Sequence, residues 1–108
     1  MENVVLCGAN SYIKKFYINP EFEKLPQLIK QELQILCVTF TEEIGGIFVL
    51  EFKEDGNLNI KVSSDKEDFN FDEIGSELKI KKIQEEKKEL FNGIETYYKA
   101  ITGRLKGE

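Results

Sequence analysis

Apolar residues over the first eighteen positions obey two periods at once. Val5, Ala9, Tyr12 and Phe16 recur at helical spacing, while Tyr12 to Ile18 forms an aromatic, β-prone run. The pattern leaves helix and strand open over 4–18, and the reading taken is a short helical turn followed by a strand near 13–18. Asn19-Pro20 ends that strand, because proline restricts the residue before it and brings no N–H to a ladder. Behind Pro26, Leu25, Leu28, Ile29, Leu33 and Leu36 fall three and four apart, which predicts a helix over 26–33. From Ile35 to Thr41 the β-branched and aromatic composition predicts a strand buried on both faces.

Gly45-Gly46 permits positive φ and a tight reversal into a second strand, Ile47 to Phe52. Glu54-Asp55-Gly56-Asn57 holds the Asp-Gly pair preferred in a type I′ hairpin, and Leu58, Ile60 and Val62 alternate with Asn59 and Lys61 beyond it. That alternation predicts a third strand with one wet face, at an edge or over a single layer. Asp65 to Glu73 reads as an acidic loop carrying Phe69 and Phe71. Ser76 is placed to cap a final helix, and Glu77 suits the positive end of its dipole. Ile80, Ile83, Lys87, Leu90, Ile94, Tyr97 and Ile101 continue that helix over 77–101, until Gly103 stops it. Its stripe can seat it on the sheet or zip it to a second copy as a homodimer; a meander of strands has an apolar face that needs a cover, which favours the sheet. The fold class expected is α+β in one domain, 1–108: an antiparallel meander of three or four strands covered on one face by the short helix and the long C-terminal helix.

Composition narrows the chemistry. Hydrophobic residues make up 41% and charged residues 32% of 108, enough apolar surface for a core. Histidine and tryptophan are both absent, which removes the commonest acid/base group and metal ligand. A formal charge of −5 opposes adhesion to phosphate backbones or anionic lipid, so neither nucleic acid nor membrane is an expected partner. No apolar run approaches the length of a membrane span, and Met1-Glu2-Asn3 lacks the positive region of a signal peptide, so a cytoplasmic location is expected. Cys7 and Cys37 lie among aliphatic neighbours and read as buried, reduced thiols.

Acidic residues are concentrated rather than spread. Asp65, Glu67, Asp68, Asp72, Glu73 and Glu77 stand against Lys66 alone, a local surplus equal to the charge of the whole chain. This predicts a face for a protein partner with a basic surface, formed by Asp65, Glu67, Asp68, Phe69, Asp72 and Glu73, with Phe69 and Phe71 as anchors inside a charged rim. Asp68, Asn70 and Asp72 alternate with Phe69 and Phe71, so the same letters also describe a solvated loop or edge strand that buries both rings and wets the polar side chains. A calcium loop counted from Asp65 fails, since Phe69 falls where an oxygen ligand belongs and Asn70 where glycine belongs. No phosphate loop or dinucleotide fingerprint is present, so no metal, cofactor or catalytic residue is assigned. The alternative to a non-enzymatic interaction module is a small-ligand binder or enzyme using carboxylates and tyrosines in a cleft between helix and sheet. Its carboxylate pairs would be Glu42 with Glu43, or Asp72 with Glu73. In the last helix, Glu85 with Lys88 and Glu95 with Lys99 have the spacing of exposed ion pairs.

Four segments carry a resemblance: Cys7-Gly8-Ala9-Asn10 with Tyr12, Thr41 to Ile47, Phe71 to Ser76, and Tyr97-Tyr98-Lys99. With these, the chain resembles an uncharacterised family of small bacterial proteins, about one domain long, known only as a domain of unknown function. The resemblance implies no activity, ligand or catalytic residue. In layout alone the chain is also similar to small acidic immunity proteins, which implies partner binding rather than catalysis.

Overall fold

The computed structural model describes residues 3–103. Its order is β1 (Val4–Asn10), β2 (Lys15–Ile18), a single 3₁₀ turn (Pro20–Phe22), α1 (Gln27–Glu43), β3 (Ile47–Phe52), β4 (Leu58–Ser63), α2 (Glu73–Glu86) and α3 (Lys88–Thr102). The four strands form one antiparallel sheet in the order β2-β1-β3-β4. The α+β class and single antiparallel sheet of the sequence reading hold, but the sheet is not a meander. β1–β2 and β3–β4 are hairpins, and α1 carries the chain across so that β3 pairs with β1.

The expected helical turn near the N-terminus is strand β1. Its pairing, with Cys7 opposite Ile18 and Ala9 opposite Phe16, sets Cys7 and Ala9 toward the core. A register shift between Val5 and Cys7 leaves Leu6 as an extra residue, and Leu6 and Cys7 are both fully buried. The bulge explains why no period of two shows in the sequence.

The expected strand Ile35–Thr41 is the second half of α1. Its burial has a helical period: Leu33, Leu36, Cys37, Phe40 and Thr41 are inside, while Ile35 is 66% exposed. β-Branched residues tolerate the helix here because its apolar face packs on the sheet, with Phe40 and Phe48 ring centroids 4.6 Å apart. Thr41 Oγ1 donates to Val38 O at 3.0 Å, so its buried hydroxyl is satisfied. The helix runs out at Gly45 and Gly46, whose φ values of 92° and 74° perform the predicted reversal.

The β3–β4 hairpin is present but is not type I′. Gly56 is the one position of the turn with positive φ, and its N–H donates to Lys53 O at 2.8 Å. Lys53 N–H donates in turn to Asn57 O. This is a type I turn closed by a glycine bulge, with Asp55 Oδ1 accepting from Asn57 N–H.

Phe48, Leu50 and Phe52 of β3 lie in register with Val62, Ile60 and Leu58 of β4, so one face of the sheet is apolar, and β4 is an edge strand as predicted. Both α1 and α3 cover that face: Cys37 meets Cys7, and Tyr98 stacks on Phe52 at 3.8 Å and 5°. The opposite face, with Tyr17 and Lys61, is open.

The expected single helix over 77–101 starts earlier and is broken. Asp72, not Ser76, is the N-cap, accepting from Gly75 N–H at 2.9 Å, and Ser76 is buried inside the first turn. At Lys87 the backbone leaves helical geometry (φ −106°, ψ 18°), which separates α2 from α3. The segment Gln84 to Glu89 holds no apolar residue, so nothing pins that turn to the core and the helix can change direction there. Gly103 ends α3 with φ 82°, as predicted. Phe91, Ile94 and Tyr98 of the α3 stripe are spent on the chain's own core, and Ile101 is 57% exposed. Glu95 and Lys99 are not used on each other: Glu95 accepts from Leu58 N–H and Lys99 donates to Asn57 Oδ1, both at 2.7 Å. They fasten α3 to the β4 end of the hairpin.

Candidate functional site

The acidic segment between β4 and α2 folds on its own aspartates. Asp65 Oδ1 accepts from Glu67 N–H at 3.0 Å, and Asp65 O from Asp68 N–H at 3.0 Å. Asp68 accepts from Asn70 N–H at 3.3 Å through Oδ1 and, through its carbonyl, from Phe71 N–H. Asp72 caps α2. These are local side-chain-to-backbone bonds of the kind that make aspartate a turn former. Their consequence is a loop with a defined backbone in place of regular structure.

One residue from far along the chain pins it. Tyr12, in the β1–β2 turn, donates from Oη to Asp68 Oδ2 at 2.5 Å and accepts from Asp65 N–H at 3.0 Å. The turn itself is tied to the same end of the molecule, since Ser11 N–H donates to Gly46 O at 3.0 Å. Phe71 closes the arrangement against Gly46: a Cβ built on that glycine would fall 2.7 Å from Phe71 Cε1. Three of the segments quoted for the resemblance, around Tyr12, Gly46 and Phe71, therefore meet at one end of the fold.

The six partner-binding residues predicted from sequence divide cleanly. Asp65, Asp68 and Asp72 are engaged in building the loop. Glu67 and Glu73 are exposed, and neither carboxylate makes a hydrogen bond or ion pair among the described residues. The two rings part company, because Phe71 is half-buried whereas Phe69 is 90% exposed. The segment is thus half of each sequence reading: one ring serves the fold and one stands in water.

Tyr12's phenol is shifted above its ordinary value of 10.0, first by the hydrogen bond it gives to the Asp68 carboxylate; the bond it accepts from Asp65 N–H acts the other way. A folded-state value above the unfolded one means that the pin contributes stability in full below pH 10 and loses it as pH rises through the folded value. In Asp68→Asn, Tyr12 is expected to ionise at lower pH than in the parent chain, read from its ring-carbon NMR shift against pH. An unmoved titration would mean the bond does not form in solution.

The carboxylate pairs and tyrosines of the enzyme alternative are put to separate uses, and where Tyr12 does meet the Asp68 carboxylate it is on the exposed loop rather than in a cleft between helix and sheet. Glu43 pairs with Lys79 at 2.6 Å, Asp72 caps a helix, Tyr98 is stacked in the core, and Tyr17 is 53% exposed on the open face. A cleft between α1 and the β1–β2 hairpin does exist, lined by Lys14, Lys15 and Glu42 with Asn10, Ser11 and Gln34, and no tyrosine. The cleft is not legible in the sequence, because the superposed periods over 4–18 hide strand β1 and with it the hairpin wall. Also unanticipated is Glu51, 9% exposed on the open sheet face, where it accepts from Asn3 at 2.9 Å and Asn59 at 3.2 Å. Strand alternation beside Leu50 and Phe52 carries that information, since it turns Glu51 away from the core.

Cys7 and Cys37 are free thiols with Sγ atoms 3.7 Å apart and no exposure to water. Among the described residues, no three cysteine, aspartate or glutamate side chains gather to hold a metal ion. No helix among them is long and apolar enough to cross a membrane.

Compared with known proteins, residues 3–106 match the model of a family of unknown function (DUF6145). No curated protein and no solved structure matches.

Proposed function

The chain belongs to this family of unknown function, DUF6145, and we propose that it is a non-enzymatic interaction module that takes a basic protein partner on the loop 65–73. The observation that carries this reading is Phe69: a phenyl ring 90% exposed on a loop whose backbone is fixed from both sides by Tyr12, Asp65, Asp68 and Asp72. Leaving a large ring in water gains the fold nothing by burial. On a loop ordered before binding, the same ring costs little further entropy when it enters a partner's pocket. Glu67 and Glu73, free of partners within the described residues, supply a negative rim that steers a basic surface toward it.

The loop's construction dictates which variants test this. Charge reversal at Asp68 or Asp72 would unmake the loop as well as the rim, so the informative changes are Phe69→Ser and the pair Glu67→Lys, Glu73→Lys. In affinity capture from cells that make the protein, a basic partner retained by the parent chain should be lost with Phe69→Ser, by about thirtyfold for a hot-spot ring, about 2 kcal/mol. With the two glutamates reversed, capture should slow and lose its salt dependence. Retention unchanged in both variants would remove loop 65–73 as the binding face.

A further inference from the structure

We infer that Cys7 and Cys37 form a site for oxidation by a small disulfide, at which the two thiols close to an internal disulfide that ties β1 to α1. The sulfur atoms lie 3.7 Å apart, in hydrogen-bonding contact across 30 positions of sequence. Each stands well inside its element, and neither has any exposure to water. The fold therefore already brings the pair together, and bonding the sulfurs asks only a small displacement of each side chain. No polar group is left unsatisfied, since the hydrogen bond that is lost is the one between the two thiols themselves. Both elements belong to the core: Cys7 lies on an inner strand beside the bulge at Leu6, and Cys37 lies one turn from the buried Leu33 and Phe40.

The closed packing dictates how the step proceeds. With both sulfurs shut off from water, a reagent meets them only when the layer between β1 and α1 opens, and there Cys37 ionises near its ordinary value of 9.0. The Cys37 thiolate attacks one sulfur of glutathione disulfide, the S–S bond of the reagent breaks, and one glutathione thiolate leaves. As the chain closes, Cys7 gives up its proton and its sulfur attacks that of Cys37, expelling the second glutathione thiolate. The two protons released by the protein end on the two glutathiones, and the two electrons that the cysteines lose reduce the reagent. A mixed disulfide has no room between β1 and α1, so refolding drives the second step. The bond then links residues 30 apart, restricts the unfolded chain, and is shielded from reductant by the same burial.

The test is refolding of the parent chain from urea into a buffer of glutathione and glutathione disulfide, beside a sample kept in urea, with the products alkylated and read by mass spectrometry. The expected result is a monomer lighter by two hydrogens and free of glutathione, whose formation constant exceeds that of the same bond in the urea-unfolded chain by roughly a hundredfold. Because the thermodynamic cycle closes, the oxidised chain should unfold in urea with an equilibrium constant smaller by the same factor. In Cys37→Ala, Cys7 should carry glutathione in urea and exchange it away on refolding, since a buried sulfur has no space for the adduct. Mixed disulfides or linked dimers as the main folded products, equal constants in the two states, an oxidised chain that unfolds at lower urea, or an adduct kept by the folded variant each overturn the inference. Loop 65–73 takes no part in these readouts, so they are decided independently of the proposed partner site.

Discussion

Gly46→Ala is expected to destabilise the fold by about 2–4 kcal/mol, and Gly45→Ala, one residue earlier, by about 1 kcal/mol. Both glycines have positive φ, so any side chain at either position meets the same backbone penalty. They differ in what surrounds them. Nothing lies within 4 Å of a Cβ placed on Gly45, whereas one on Gly46 would sit 2.7 Å from both Phe71 Cε1 and Ser63 O. The ring can be displaced at some cost, but the carbonyl belongs to the end of β4 and cannot move without disturbing the ladder at its pairing with Ile47. The extra loss at Gly46 is therefore overpacking against fixed atoms. Urea unfolding of the two variants checks it, and equal losses would show that the contact is slack. A double variant with Phe71→Ala should show coupling between the two sites, since the ring is one of the two obstacles. Because Phe71 roots the acidic loop, Gly46→Ala should also weaken any partner held by Phe69.

How far the sequence led to this point depends on which period each segment displayed. Segments with a single clean period were legible: Ile47 to Phe52 and Leu58 to Val62 are strands, the reversal is at Gly45-Gly46, and Gly103 ends the last helix. Local turn chemistry was legible only in part. Asp55-Gly56 did mark a hairpin, but the turn type is set by the three-residue loop and its glycine bulge. Two failures near the core share a physical source, namely that tertiary packing overrode local preference. Val38, Thr39 and Thr41 look like a strand and sit in α1 because Leu33, Leu36, Cys37 and Phe40 are buried at helical spacing. Leu6 hid the strand period by bulging. Of the candidate site, composition located the acidic loop but could not distinguish aspartates bonded to nearby N–H groups from glutamates left in water. That difference rests on Tyr12, 56 residues away from Asp68 in the chain, and no local pattern reports it.

Cys7 and Cys37 are expected to resist a thiol reagent in the native protein and to react only when the chain unfolds, roughly a thousandfold or more slowly than in denaturant. Both side chains are fully buried, one on the central strand β1 and one on α1, and their sulfur atoms lie 3.7 Å apart. The hydrogen bond with Cys7, reinforced by burial, pushes the Cys37 thiol well above its usual range, so the reactive thiolate is scarce as well as inaccessible. The same shift makes a thermodynamic statement. Cys37 keeps its proton in the folded chain while the unfolded chain releases it near the ordinary value of 9.0. Its contribution to stability is then complete below that pH and declines above it, by about 1.4 kcal/mol per pH unit for one proton. Urea midpoints measured from pH 8 upward should fall along this slope in the parent chain and less steeply in Cys37→Ala. Rapid labelling of either thiol in the native state would contradict the packing between β1 and α1 on which the whole sheet–helix layer rests. An alkaline slope identical in the variant would mean that Cys37 ionises in place, which a thiol held against Cys7 and shut off from water cannot do without opening the core.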